Sequence, residues 1–161
     1  MTTFTAWKFE TVDGAEKATA LLRSVAKDGV ITIEDYAVIE WEIGAERPRV
    51  KYEHRDDARA AGWGALLGGV IGVLFFLPLI GAAAGAAIGV LTKRIDDIGI
   101  TSEQLDTIGK RVGPGTSALF VVNTDTDRDR LAERFHGLGA SLIASNLVPE
   151  EEAEVRRAFE D

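Results

Sequence analysis

Asn123, Asp125, Asp127 and Asp129 alternate in the stretch NTDTDRD. Oxygen donors at alternate positions open a calcium loop, which also needs Gly at its sixth position and a chelating Glu at its twelfth. Those two positions hold Arg128 and Arg134. The stretch therefore reads as a strand end followed by a helix start with acids at its N-terminus. GPGTS places two glycines beside Thr116 and Ser117. A phosphate loop follows a strand, opens a helix and carries a Lys. This one precedes a strand and lacks the Lys, so it reads as a turn. His54 and His136 are the two histidines, and neither has a second ligand at metal spacing. No serine has a base and orienter in sequence. The pairs Asp56-Asp57 and Asp96-Asp97 and the EEE run read as solvated flanks or helix caps. The expectation is no catalytic residue, no metal and no cofactor.

The 161-residue chain carries a net charge of -8 and no cysteine. The charge disfavours binding to phosphate backbones, so no nucleic-acid partner is expected. The missing cysteine removes disulfides and thiol nucleophiles and fits a cytoplasmic setting. MTTFTAWKFE lacks the basic and apolar regions of a signal peptide.

The elements that must position these residues follow from pattern. TTFTAWKFET alternates as a strand does, with Phe4 and Ala6 on one face. Asp13-Gly14 opens a helix carrying Ala18, Leu21, Leu22 and Val25 at helical spacing, and Asp28-Gly29 stops it. VITIEDYAVIEWEI reads as a long strand, GAERP as a turn and RVKYEH as a return strand at a sheet edge. Further on, Thr101 or Ser102 caps a short helix in SEQLDTIGKRV. SALFVVNT, apolar throughout its middle, reads as a central strand. A helix through Leu131, Phe135 and Leu138, the strand ASLIASNLV and a final helix opened by Pro149 complete the chain. Strand, helix and strand thus occur on both flanks. The fold predicted is α+β: a ferredoxin-like α/β sandwich of two β-α-β halves, interrupted by an apolar glycine-zipper helical hairpin. Its segments are 1–57 for the first half, 58–94 for the hairpin and 95–161 for the second half with the C-terminal helix.

The hairpin rests on 33 residues without a charge, Ala60 to Thr92. One membrane span needs roughly 20. Pro78 splits the run into arms about 27 Å and 21 Å long if helical. Gly64, Gly68 and Gly72 recur every fourth residue, as do Gly81, Gly85 and Gly89. The two triplets mirror each other about Phe76-Leu77. A fold at Phe76, Leu77 and Pro78 would set each glycine against its mirror partner, and spacing of four keeps each triplet on one helix face. Arg55 and Arg59 precede the run and Lys93 and Arg94 follow it, with Trp63 near one end. Positive residues at both ends predict an inner-membrane hairpin with both termini cytoplasmic. GAAAGAAIG offers little bulk to lipid, which predicts packing against neighbouring subunits.

WGALLGGVIGVLFFLPLIGAAAGAAIGVLTKRIDDIGI and LDTIGKRVGPGTSALFVV resemble the bacterial predicted membrane proteins of the domain-of-unknown-function 1269 family. The resemblance runs from about Phe4 to the end and is strongest from Gly62 to Val122. It implies a membrane-associated bacterial protein and no catalytic residues.

The function expected is that of a non-enzymatic, homo-oligomeric, membrane-associated scaffold whose partners are itself and membrane lipid. Two alternatives stand beside it. One is a pore or apolar conduit formed by the hairpins. The other is a large soluble particle or tube with the hairpins buried inside, holding an apolar ligand.

Overall fold

A computed structural model describes residues 2–52, 67–76, 96–124 and 126–160. The strands are β1 (Thr3–Phe9), β2 (Thr32–Glu40), β3 (Arg49–Tyr52), β4 (Ser117–Thr124) and β5 (Ala140–Ser145). The helices are α1 (Gly14–Lys27), α2 (Ser102–Arg111), α3 (Arg128–Phe135) and α4 (Pro149–Glu160). A helical stretch at 67–71 runs into a π-helical turn, Gly72–Phe76. The five strands form one sheet in the order β3-β2-β4-β1-β5, every neighbouring pair antiparallel. β4 lies at its centre, as its apolar run predicts.

Local signals explain the element ends. The Thr101 hydroxyl accepts a hydrogen bond from Gln104 N at 3.1 Å and caps α2. Asp127 does the same for α3, accepting from Arg130 N at 3.2 Å. α1 starts where Gly14 has no side chain. A Cβ there would sit 2.6 Å from Phe9 Cβ. Ser117, fully buried, ties the same corner: its Oγ accepts from Ala15 N at 2.9 Å and donates to Thr11 O at 2.7 Å. The GPGTS turn closes with Thr116 N donating to Gly113 O, and Gly115 holds φ +85°.

Both faces of the central strands are covered. On one face α1, α3 and α4 bury Ala18, Leu22, Val25, Phe135 and Phe159 against Tyr36, Val38, Leu119, Val121 and Leu142. On the other, Leu67, Val70, Ile71 and Phe75 join Ile108 of α2 over Phe4, Ala37, Ile39, Phe120 and Val122. Leu67 is fully buried there and Ile71 nearly so. Trp41 meets Phe75 edge to face, with ring centroids 6.0 Å apart.

This second face corrects the membrane reading. Among the described residues no helix is long and apolar enough to cross a membrane. The transmembrane helical hairpin, and with it the inner-membrane location with both termini cytoplasmic, is overturned. The physical reason is visible at Leu67–Phe76. Apolar side chains expected to face lipid are spent on the protein's own sheet, where their burial stabilises the fold.

Candidate functional site

β1 builds the floor of a concavity between the sheet and two helices. Thr3, Thr5, Trp7 and Phe9 alternate along the strand and so share a face. Thr3 pairs with Asn123, Thr5 with Val121 and Trp7 with Leu119 on β4. Thus a gradient runs along the ladder, polar at Thr3 and Asn123, apolar at Trp7 and Leu119. α3 and α4 roof it. They enclose a cavity of about 420 Å³ whose apolar end is lined by Phe9, Leu22, Phe135, Val155 and Phe159. The Trp7 and Phe159 rings lie 5.1 Å apart, and Phe135 and Phe159 6.1 Å.

At the polar end, Thr124, Thr126, Arg128 and Glu151 join Thr3, Thr5 and Asn123. Asn123 and Thr5 are both 7% exposed. Asn123 Nδ2 donates to Thr126 Oγ1 at 2.6 Å. Arg128 Nη2 lies 3.2 Å from Glu151 Oε1. The other carboxylate oxygen, Glu151 Oε2, is buried and has no hydrogen-bond partner among the described residues, although the side chain as a whole is 34% exposed.

One residue further along α4, Glu152 anchors the roof to β5. Its carboxylate accepts from Ser145 Oγ at 2.7 Å and from Arg156 Nη2 at 2.8 Å. Burial alone would raise its pKa, but the bonds from Ser145 and Arg156 outweigh it and hold the carboxyl below its ordinary value. At the opposite edge of the sheet, the buried carboxylate of Glu40 receives Arg49 and Lys51 from β3. Hydrogen bonds to Glu40 and then Glu16 raise the pKa of the Lys51 ammonium.

The residues singled out by sequence fall as follows. Of the NTDTDRD set, Asn123 enters the cavity and Asp127 caps α3, while Asp125 lies outside the described residues. Among the described residues no group of three His, Cys, Asp or Glu side chains could hold a metal ion. His136 ends α3, and His54 lies outside the described residues. Gly68 and Gly72 are half-buried, and a Cβ at Gly72 would meet nothing within 4 Å among the described residues. Phe76 packs at the margin of the second core. Gly64, Gly81, Gly85, Gly89, Leu77, Pro78, Arg55, Arg59, Trp63, Lys93 and Arg94 lie outside the described residues.

Sequence reasoning missed the cavity. A trace of it is the pair of threonines on the inward face of β1. Joining them to Asn123 and Glu151 requires the strand order and the placement of α4.

A family model described as "Protein of unknown function (DUF1269)" matches residues 61–160, well over half of the chain. No curated protein matches, and no solved structure does.

Proposed function

The chain belongs to the DUF1269 family, whose function is unknown, and on that premise we propose that it is a non-enzymatic protein that assembles with copies of itself. The uncharged, Gly- and Ala-rich stretch serves as a protein-packing element, and the sandwich that carries it has a ferredoxin-like arrangement with the stretch inserted between its halves. The strand order supports that arrangement: without β3, β2-β4-β1-β5 interleaves the two β-α-β units, the parallel strands of each separated by an antiparallel strand of the other.

The observation that carries the assembly reading is the two-sidedness of Leu67–Phe76. Leu67, Ile71 and Phe75 are buried on the protein's own sheet. In the same segment a Cβ added at Gly72 would meet no atom of the described residues within 4 Å. A segment with one face already docked and a small residue on the other suits close approach by a second helix. Multi-angle light scattering of the full chain tests this. The expected result is a species several times the monomer mass that shrinks in Gly72→Leu and Gly85→Leu. A monomeric wild type, or a size unchanged by both substitutions, overturns it.

A further inference from the structure

We propose that the cavity between the sheet and α3–α4 is a binding site for a small aromatic or branched apolar molecule that carries one protonated amine, received at the polar end by Glu151. The volume of about 420 Å³ falls in the range of ligand pockets, roughly 300–1,000 Å³. Its apolar end is lined by Trp7, Phe9, Phe135 and Phe159, which suits a flat or branched hydrocarbon body. A well-packed sandwich of this size would close such a space with side chains. Here the floor instead ends in threonines and an asparagine.

Glu151 sets the head group. Oε1 faces Arg128 at 3.2 Å, while Oε2 is buried without a hydrogen-bond partner among the described residues. A buried carboxylate oxygen left unpaired costs free energy, and it accepts only. The group that completes it must therefore donate. An ammonium does so with charge assistance, at the carboxylate oxygen that Arg128 leaves without a partner. A hydroxyl supplies the hydrogen bond without the charge, and a carboxylate ligand meets like charge. The hydroxyls of Thr3 and Thr5 at the same end supply further acceptors for the other ammonium hydrogens.

Isothermal calorimetry on the full chain tests the proposal with 4-phenylbutylamine, 4-phenyl-1-butanol and 4-phenylbutanoate as probes. The amine should bind about tenfold more tightly than the alcohol, the difference between a charge-assisted and a neutral hydrogen bond, and the acid more weakly than either. Glu151→Gln should bring the amine to the affinity of the alcohol and leave the alcohol unchanged. Val155→Trp should fill the apolar end and abolish binding of all three. If that variant fails to fold, the comparison of probes on the wild type and Glu151→Gln still decides. Equal affinities, preference for the acid, an amine affinity insensitive to Glu151→Gln, or no binding of any probe at millimolar concentration would each overturn the proposal.

Discussion

The two faces of the sheet are closed by different chemistry. On the face covered by α1, α3 and α4, the buried polar groups gather: Thr5 stands opposite Ser145 and Val121, and Glu40 opposite Ser117. Asp35, at the β2 bulge opposite Val122, is the exception on the other side. The face covered by Leu67–Phe76 and α2 is apolar, built from Leu67, Val70, Ile71, Phe75, Ile100, Ile108 and Val112. One cover consists of amphipathic helices with charged outer sides. The other begins in a run of 33 residues without a charge. The contrast teaches that absence of charge marks a surface that will be covered, without saying by what.

The sharpest way to break the comparison is to ask whether the two covers belong to one cooperative unit. Leu67 and Leu22 are equivalents, each almost wholly buried, one per face. Leu67→Ala and Leu22→Ala should each cost about 2–5 kcal/mol, the range for a large core side chain cut to alanine. Urea unfolding by far-UV circular dichroism measures both. If Leu67→Ala costs under about 0.5 kcal/mol, as an exposed site would, the second face is not held by this segment.

A smaller effect is expected at the corner where α1 leaves the sheet. Gly14→Ala would put a methyl carbon 2.6 Å from Phe9 Cβ, and neither atom sits at the end of a flexible side chain. Overpacking of this kind costs about 1–3 kcal/mol. Gly72→Ala, on the other face and with no atom of the described residues within 4 Å of the added Cβ, should cost nothing measurable or stabilise slightly, since alanine favours a helix over glycine. The pair of thermal unfolding midpoints reads the difference directly. Equal losses at the two glycines would remove the distinction between a packed corner and an open face.

How much of this was legible in the sequence follows the range of the interactions involved. The caps Thr101 and Asp127 act within three residues, and both helix starts fall where the pattern places them. The central position of β4 was readable from Ala118–Val122, because a strand covered on both faces has no reason to alternate. The destination of Leu67, Val70 and Ile71 was not readable. Their spacing of three and four gives one apolar helix face, and lipid and a sheet satisfy such a face alike. Only the tertiary arrangement distinguishes them. The cavity was half legible: Thr3 and Thr5 interrupt an inward apolar row, but Glu151 lies some 146 residues beyond Thr5 in the chain and reaches it through α4.

Asp127→Ala removes the α3 cap and should cost about 1 kcal/mol, read as a lowered unfolding midpoint. Because α3 roofs the cavity, the same substitution should loosen hydrogen-exchange protection of α3 and leave α2, on the opposite face, unchanged. Matching losses of protection in α2 would show that the two covers fail together.

The smallest effect sharpens the comparison through pH. Glu152 lies on the polar side, bonded to Ser145 and Arg156, and its carboxyl pKa is lower in the folded protein than its ordinary value of 4.5. A group with a depressed folded pKa contributes stability that is fully present above its unfolded pKa. That contribution falls away as pH drops through the folded value. Wild type should therefore lose more stability than Glu152→Gln on going from neutral pH into the range below 4.5, and the two stabilities should converge at the acid end. The contrast comes from Leu67→Ala, whose difference from wild type should vary less over the same range, because leucine carries no titratable group and packs in a hydrophobic cluster. A Glu152→Gln difference as flat as that of Leu67→Ala would show that the Ser145–Glu152–Arg156 bonds do not hold α4 to β5, and the roof of the cavity would then rest on Val155 and Phe159 alone among the residues of α4 buried there.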